Sequence, residues 1–228
     1  MLTHKVYTVH NSEMTKKRTA AQPVRDTYRH GDLRRALIDA GVALARAGGP
    51  DAVVLRAATR QAGVVPNAAY RHFADRDALL QAVASAAHAA LADAIEAEWA
   101  ACPATDDAAQ RARAHLRAVG SGYLRFARAE PGLFRTAFAV YDDLAKAASP
   151  ELAGKSGLTP FQLVGAALDE MVSAGALPAE RRPFAEALAW SAVHGLATLL
   201  IDGPLRGLDA MQAEGLGQRV IDMVERGL

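Results

Sequence analysis

Alanine occupies 52 of the 228 positions, and this narrows the fold more than any other feature. Alanine is the best helix former and a poor strand former. No stretch alternates β-branched with polar side chains, the pattern that a half-buried strand requires. The chain therefore reads as all-α. With 51% apolar and 22% charged residues, it is far from the composition of a disordered chain. It is long enough to bury a core without disulfide or metal staples. Its one cysteine, Cys102, excludes an internal disulfide and a cysteine-based zinc site. That usage fits a reducing compartment. The longest apolar stretch, residues 187–201, is broken by His194 and is short for a membrane span. No apolar segment with a small-residue cleavage site stands near Met1. The expectation is a cytoplasmic protein with no membrane partner.

The net charge of +1 conceals an asymmetry. Residues 1–76 hold 13 of the 26 Lys and Arg but 6 of the 25 Asp and Glu, a net +7, and residues 77–228 carry −6. A basic front suits a polyanion, and an acidic back suggests a separate task. Residues 1–27 are polar and aperiodic and contain Lys16-Lys17-Arg18. They read as a flexible basic tail.

Helical periodicity runs through the rest. Leu33, Leu37, Ala40, Gly41 and Leu44 mark a first helix over 30–47, stopped by Gly48-Gly49-Pro50. A short second helix spans 54–62. Gly63 follows as a turn residue able to take positive φ, and Pro66 sits where a first helical position belongs. A third short helix covers 66–72. Asp75 is positioned to cap a fourth helix that runs to about residue 101. Thr105 is positioned to cap a fifth, whose stripe is Leu116, Val119, Tyr123 and Phe126. Glu130-Pro131 starts a short helix, and residues 142–158 look like loop. Thr159-Pro160-Phe161-Gln162 is a capping-box pattern, opening a helix that Gly175 and Pro178 close. A long apolar helix is expected over 183–202 and a last one over 213–226, about nine in all.

Two short helices joined by a glycine turn are the recipe of a helix-turn-helix. Gly63-Val64, Tyr70-Arg71-His72-Phe73 and Asp75-Arg76-Asp77-Ala78-Leu79-Leu80 resemble the N-terminal domain of the TetR family of transcriptional regulators. The resemblance covers residues 28–91, with the motif at 54–73. Trp190-Ser191-Ala192-Val193-His194-Gly195 resembles, more weakly, the Trp-x-x-x-His-Gly signature of one C-terminal subtype in that family. The resemblance implies a DNA-binding domain at 28–91 and an effector-binding and dimerisation domain at 92–228. It implies a homodimer with a four-helix interface built from residues 183–226. One recognition helix from each subunit would enter successive major grooves of a double-stranded DNA operator. It also implies a repressor released by a small organic effector, apolar or amphipathic, and implies no cofactor.

The chemistry of the front residues points the same way. Tyr70 offers a hydroxyl to a phosphate, and Arg71 and His72 bring donors beside it. A guanidinium at Arg76, where the family usually has lysine, can grip phosphate too. Phosphate contacts fix register, and base edges specify sequence. Asn67 can pair with adenine while Pro66 and Ala68 touch thymine methyls. Arg56, on the second helix, is a further DNA contact, and Phe73 reads as core. Val54 and Val65 fall at the N-caps of the second and third helices, where the family usually has Ser or Thr. A valine accepts no hydrogen bond from first-turn amides, at a cost of roughly 1 kcal/mol per helix. Thr59 stands where a smaller alanine is usual.

In the back half, Trp99, Tyr123, Phe126, Phe134, Phe138, Met171, Trp190 and His194 are the candidate walls of an effector pocket. Such a pocket is mostly apolar with a few polar groups. Each aromatic also suits an ordinary core, and His194 suits a hydrogen bond to a neighbouring helix. Enzymes are the rival class. The chain has no GxGxxG, GxxxxGK(S/T), HExxH or GxSxG, so the expectation is a protein that is not an enzyme. The competing reading is a helical ligand- or protein-binding dimer with weak or lost DNA binding. Val54 and Val65 favour it, and the basic front opposes it.

Overall fold

The computed structural model describes residues 30–140 and 147–228; the expected basic tail at 1–27 lies outside the described residues. Among the described residues there are nine α-helices and no strand, so the chain is all-α as its alanines foretell. They are α1 (His30–Gly48), α2 (Leu55–Gln61), α3 (Pro66–Ala69), α4 (Arg76–Ala100), α5 (Ala108–Ala129), α6 (Pro131–Ala137), α7 (Pro160–Ser173), α8 (Ala185–Ile201) and α9 (Ala210–Gly227).

The first four helices close over Leu37, Val53, Ala58, Ala69, Phe73, Leu79 and Val83, all buried. Gly63, at φ 69°, makes the turn out of α2 that a side chain would resist. The Asp75 carboxylate caps α4 by accepting from the Ala78 amide at 2.8 Å. α4 then continues for 25 residues into the second half of the molecule. It is long and apolar enough to cross a membrane by length and composition, yet half of that stretch is buried inside the protein. Leu79, Val83, Leu91 and Ile95 expose nothing, each contributing on the order of 1.5–3 kcal/mol by burial. It is a core helix, with α1, α5, α6 and α7 packed on it. α8 and α9 complete the second half by packing on α5 and on each other.

Where a side chain caps a helix, the strongest local acceptor does so. Thr159 and Gln162 form the reciprocal capping box expected of them. At α5 the cap is Asp107 rather than Thr105: its carboxylate accepts from the Gln110 amide at 3.0 Å. A carboxylate complements the positive helix start better than a hydroxyl does, and Thr105 instead accepts from the Asp107 amide. α9 starts at Ala210, before the expected residue 213, because Asp209 and Gln212 form a second capping box. α3 ends at Ala69, sooner than expected, with Tyr70–His72 continuing as a turn. A 3-10 turn at Pro150–Leu152 interrupts the stretch read as loop. Phe184 precedes α8 in the left-handed region, at φ 64°, uncommon for a residue with a side chain.

Candidate nucleic-acid interface and effector cavity

α2 and α3 meet over buried Ala58, Thr59 and Ala69. Thr59 donates its hydroxyl to the Arg56 carbonyl at 3.0 Å, so the larger residue leaves no buried polar group unpaired. The outer faces of both helices stay open. Arg56, Pro66, Asn67, Tyr70 and Arg71 are exposed, and Ala68 and His72 are half-buried. Phe73 turns inward, with the Arg34 guanidinium 5.4 Å from its ring centroid. Val54 and Val65 are the N-caps of α2 and α3, extended in backbone and without a side-chain hydrogen bond. Arg76 differs from the other basic residues because its donors are already engaged. Its Nε donates to the Val53 carbonyl at 3.0 Å and its Nη2 to the Pro50 carbonyl at 2.8 Å. The guanidinium fastens the segment between α1 and α2 to the start of α4.

Helices α4 to α9 surround a cavity of about 300 Å³. Tyr123, Phe138, Phe161 and Trp190 line it together with aliphatic side chains of α4, α5, α7, α8 and α9. His194 and Phe134 touch these lining rings without lining the cavity themselves. Trp190 Nε1 donates to the Tyr123 hydroxyl oxygen at 3.3 Å, and that oxygen lies 2.7 Å from His194 Nδ1. Indole can only donate, so one assignment satisfies all three groups: the tyrosine accepts from Trp190 and donates to His194. Burial pushes the Tyr123 pKa up and the His194 pKa down, which keeps the chain of donors neutral. Phe134 stands edge-on to Tyr123, 5.5 Å between centroids. Phe126 and Met171 are buried in the core away from the cavity lining. Trp99 stacks on His115 at 4.5 Å, and His115 Nδ1 meets a Glu170 carboxylate oxygen at 2.6 Å.

His88 lines the cavity as well, although the sequence alone does not single it out. Its Nδ1 lies 3.2 Å from the Ala84 carbonyl, and its ring meets Phe138 edge-on at 5.0 Å. Burial lowers its pKa to about 4, against the opposing pull of the Ala84 carbonyl. The available signal was a large polar residue inside the buried stripe of α4.

Residues 37–83 match the sequence profile of bacterial regulatory proteins of the tetR family, and residues 116–224 match that of the tetracyclin repressor-like C-terminal domain. The chain belongs to the TetR family. A protein of unknown function from Rhodococcus sp. RHA1 is 27% identical, with a TM-score of 0.69 over 90% of this chain and 99% of that one. FadR from Bacillus subtilis, solved in complex with stearoyl-CoA, is 15% identical, with a TM-score of 0.63 over 85% of this chain and 98% of its own. The TetR family regulator PfmR from Thermus thermophilus is 20% identical, with a TM-score of 0.52 over 84% of this chain and 95% of its own. The last two likenesses are of fold. No curated protein matches the chain.

In this TetR-family chain α6 joins the two halves. At its start, Gly132 lies against the carbonyls of Ala45 and Arg46 in α1, and a Cβ there would strike both. Arg46 Nε donates to both carboxylate oxygens of Glu130 at 3.2 and 3.1 Å, beside that contact. In the middle of α6, Arg135 grips Asp202, just past α8, through both Nε and Nη2. Beyond its last residue comes Phe138, a wall of the cavity. One short helix thus touches the DNA-binding half, the end of α8 and the cavity.

Proposed function

We propose that this protein is a sequence-specific DNA-binding regulator: a cytoplasmic, homodimeric repressor that leaves its operator when a small organic molecule occupies the cavity. The observation that carries this reading is α6, with Gly132 against α1 at one end and Phe138 in the cavity wall at the other. A molecule that displaces Phe138 shifts α6, and α6 cannot move without pushing on α1. In this reading residues 28–91 form the DNA-binding unit and 92–228 the effector unit, with α4 running through both. Tyr70, Arg71, His72 and Arg56 contact phosphate, while Asn67, Pro66 and Ala68 face base edges. Arg76 serves by holding the α1–α2 segment in position. The effector meets Tyr123, Phe138 and Trp190 directly, and His194 and Phe134 support those rings. The bound stearoyl-CoA of the B. subtilis FadR supports an organic ligand in this general fold.

Dimerisation through residues 183–226 has its own support. Phe184, Leu188 and Leu199 are exposed on one side of α8, and Met211 and Met223 on α9. Ser191 and Gly195 continue the α8 stripe, which carries no charge, and a Cβ at Gly195 would meet nothing in this chain. An uncharged apolar stripe with a small residue at its centre suits close helix packing against a second copy.

The test is a fluorescence-anisotropy titration against the DNA upstream of the protein's own gene, with scrambled duplex as competitor at several salt concentrations. Saturable binding that survives the competitor is expected. Equal, salt-erased binding to both duplexes, repeated with sites selected from random DNA, overturns the reading. The uncapped Val54 and Val65 helices favour one alternative, a ligand-binding dimer with weak DNA binding. In that case Val54→Ser and Val65→Ser together restore binding.

A further inference from the structure

Taking the cavity to be the effector site, its lining restricts the class of molecule that can fill it. None of its described lining residues is Lys, Arg, Asp or Glu. Of the described carboxylates close to lining positions along the chain, Glu151 is exposed to solvent, and Glu96, Glu170, Asp222 and Glu225 are engaged. Glu96 accepts from Ser156, Glu170 from His115 and Arg111, and Asp222 and Glu225 pair with Arg117. The polar side chains of the lining are bonded within the protein, Trp190 donating to Tyr123, Tyr123 bonding His194 and His88 meeting the Ala84 carbonyl. His88 is held by burial in its neutral form. Apart from the ring of Phe161, the remainder is aliphatic, with Ile95, Leu116, Val119, Val164, Val193 and Ile221 its largest members. A charge entering such a place loses its water and gains no counter-charge, which costs far more than a neutral polar group does.

We propose that the cavity takes an uncharged, largely apolar organic molecule and rejects carboxylates, ammonium ions and phosphates. Its flat or unsaturated end sits against the rings of Tyr123, Phe138 and Trp190, where aromatic contacts add to simple burial. Its aliphatic body lies along α5 and α9. A hydroxyl or carbonyl is tolerated and an ionised group is not. The proposal rests on the reading of the cavity as the effector site, but the two are separable by experiment.

The probes are decanol, decanoate and decylamine, which share one chain and differ in charge near neutral pH. Each is titrated calorimetrically into the full-length protein below its micelle-forming concentration. Decanol is expected to bind, with decanoate and decylammonium weaker by at least about tenfold. Ala189→Phe, which fills the cavity, is expected to abolish decanol binding. If that variant fails to fold, the series on the unaltered protein decides alone. Binding of either charged probe as tightly as decanol overturns the proposal, and so does binding of none of the three. Decanol binding without any change in affinity for operator DNA supports the ligand class and overturns only the effector reading.

Discussion

Gly132→Ala tests the contact through which the two halves of the molecule meet. A methyl group at this position would overlap the Ala45 carbonyl oxygen and sit 2.8 Å from that of Arg46. Both obstacles are backbone, so no side chain can rotate to make room. Overpacking of this kind costs about 1–3 kcal/mol. Against it stands the helix preference of alanine over glycine, at most about 1 kcal/mol. Gly132 is the second residue of a seven-residue helix, so it collects only part of that gain. The clash wins, leaving a net loss of roughly 1–2 kcal/mol. For a chain of this length the melting temperature should fall by roughly 2–8 °C. The relief route is for α6 to move off α1, straining the Arg46–Glu130 pair, so DNA affinity should fall as well. Thermal unfolding followed by circular dichroism, with anisotropy on the same preparation, measures both. A melting temperature that is unchanged or raised would refute the claim that α6 is wedged against α1.

Other perturbations follow from the same structure. His88 binds a proton in the unfolded chain near pH 6.5 but resists one in the fold until about pH 4. Its contribution is therefore complete above pH 6.5 and is lost as pH falls toward 4, by up to about 3 kcal/mol. His194 is shifted the same way, so urea melts of His88→Leu should show a flatter, not a flat, acid slope; an unaltered slope contradicts the assignment. Arg71→Ala and Tyr70→Phe should weaken binding to every duplex, and Arg71→Ala should reduce the salt dependence by about one phosphate contact. Asn67→Ala should relax preference at one or two base pairs per half-site, at about 1–3 kcal/mol each, and an unchanged selected site removes Asn67 from base reading. Leu188→Asp should give monomers in sedimentation velocity; an intact dimer rules out α8 as the interface.

Where local chemistry decides, the sequence was readable. The Thr159 capping box, the Asp75 cap and the proline starts of α3 and α6 depend on neighbours within a few residues, and the structure has each of them. Competition between close acceptors was harder to judge. Thr105 and Asp107 both suit a cap, and the choice fell to charge. A similar competition hid the start of α9, where Asp209 and Gln212 repeat the pattern of Thr159 and Gln162. The cavity lies at the other extreme. His88, Val119, Phe161 and Ile221 come from four helices, and in the sequence each is simply one residue of a buried stripe. Which stripe residues border empty space depends on how six helices pack, and no local pattern encodes that. Arg76 illustrates a third case: its charge is visible in the sequence, but its engagement with Pro50 and Val53 is not.

The unbroken length of α4 has a mechanical consequence. Arg76, which grips the α1–α2 segment, and Ile95, which lines the cavity, belong to one helix without proline or a break. They are separated by roughly 28 Å of rod at about 1.5 Å per residue, so a tilt of about 5° at the cavity end carries the other end about 2.5 Å. That displacement approaches the length of a hydrogen bond. In the proposed two-fold pair the motion would be doubled across the axis, against successive major grooves about 34 Å apart. In the proposed mechanism this beam adds leverage to the push of α6 on α1, so a slight shift of packing at the cavity would be enlarged without loosening either half.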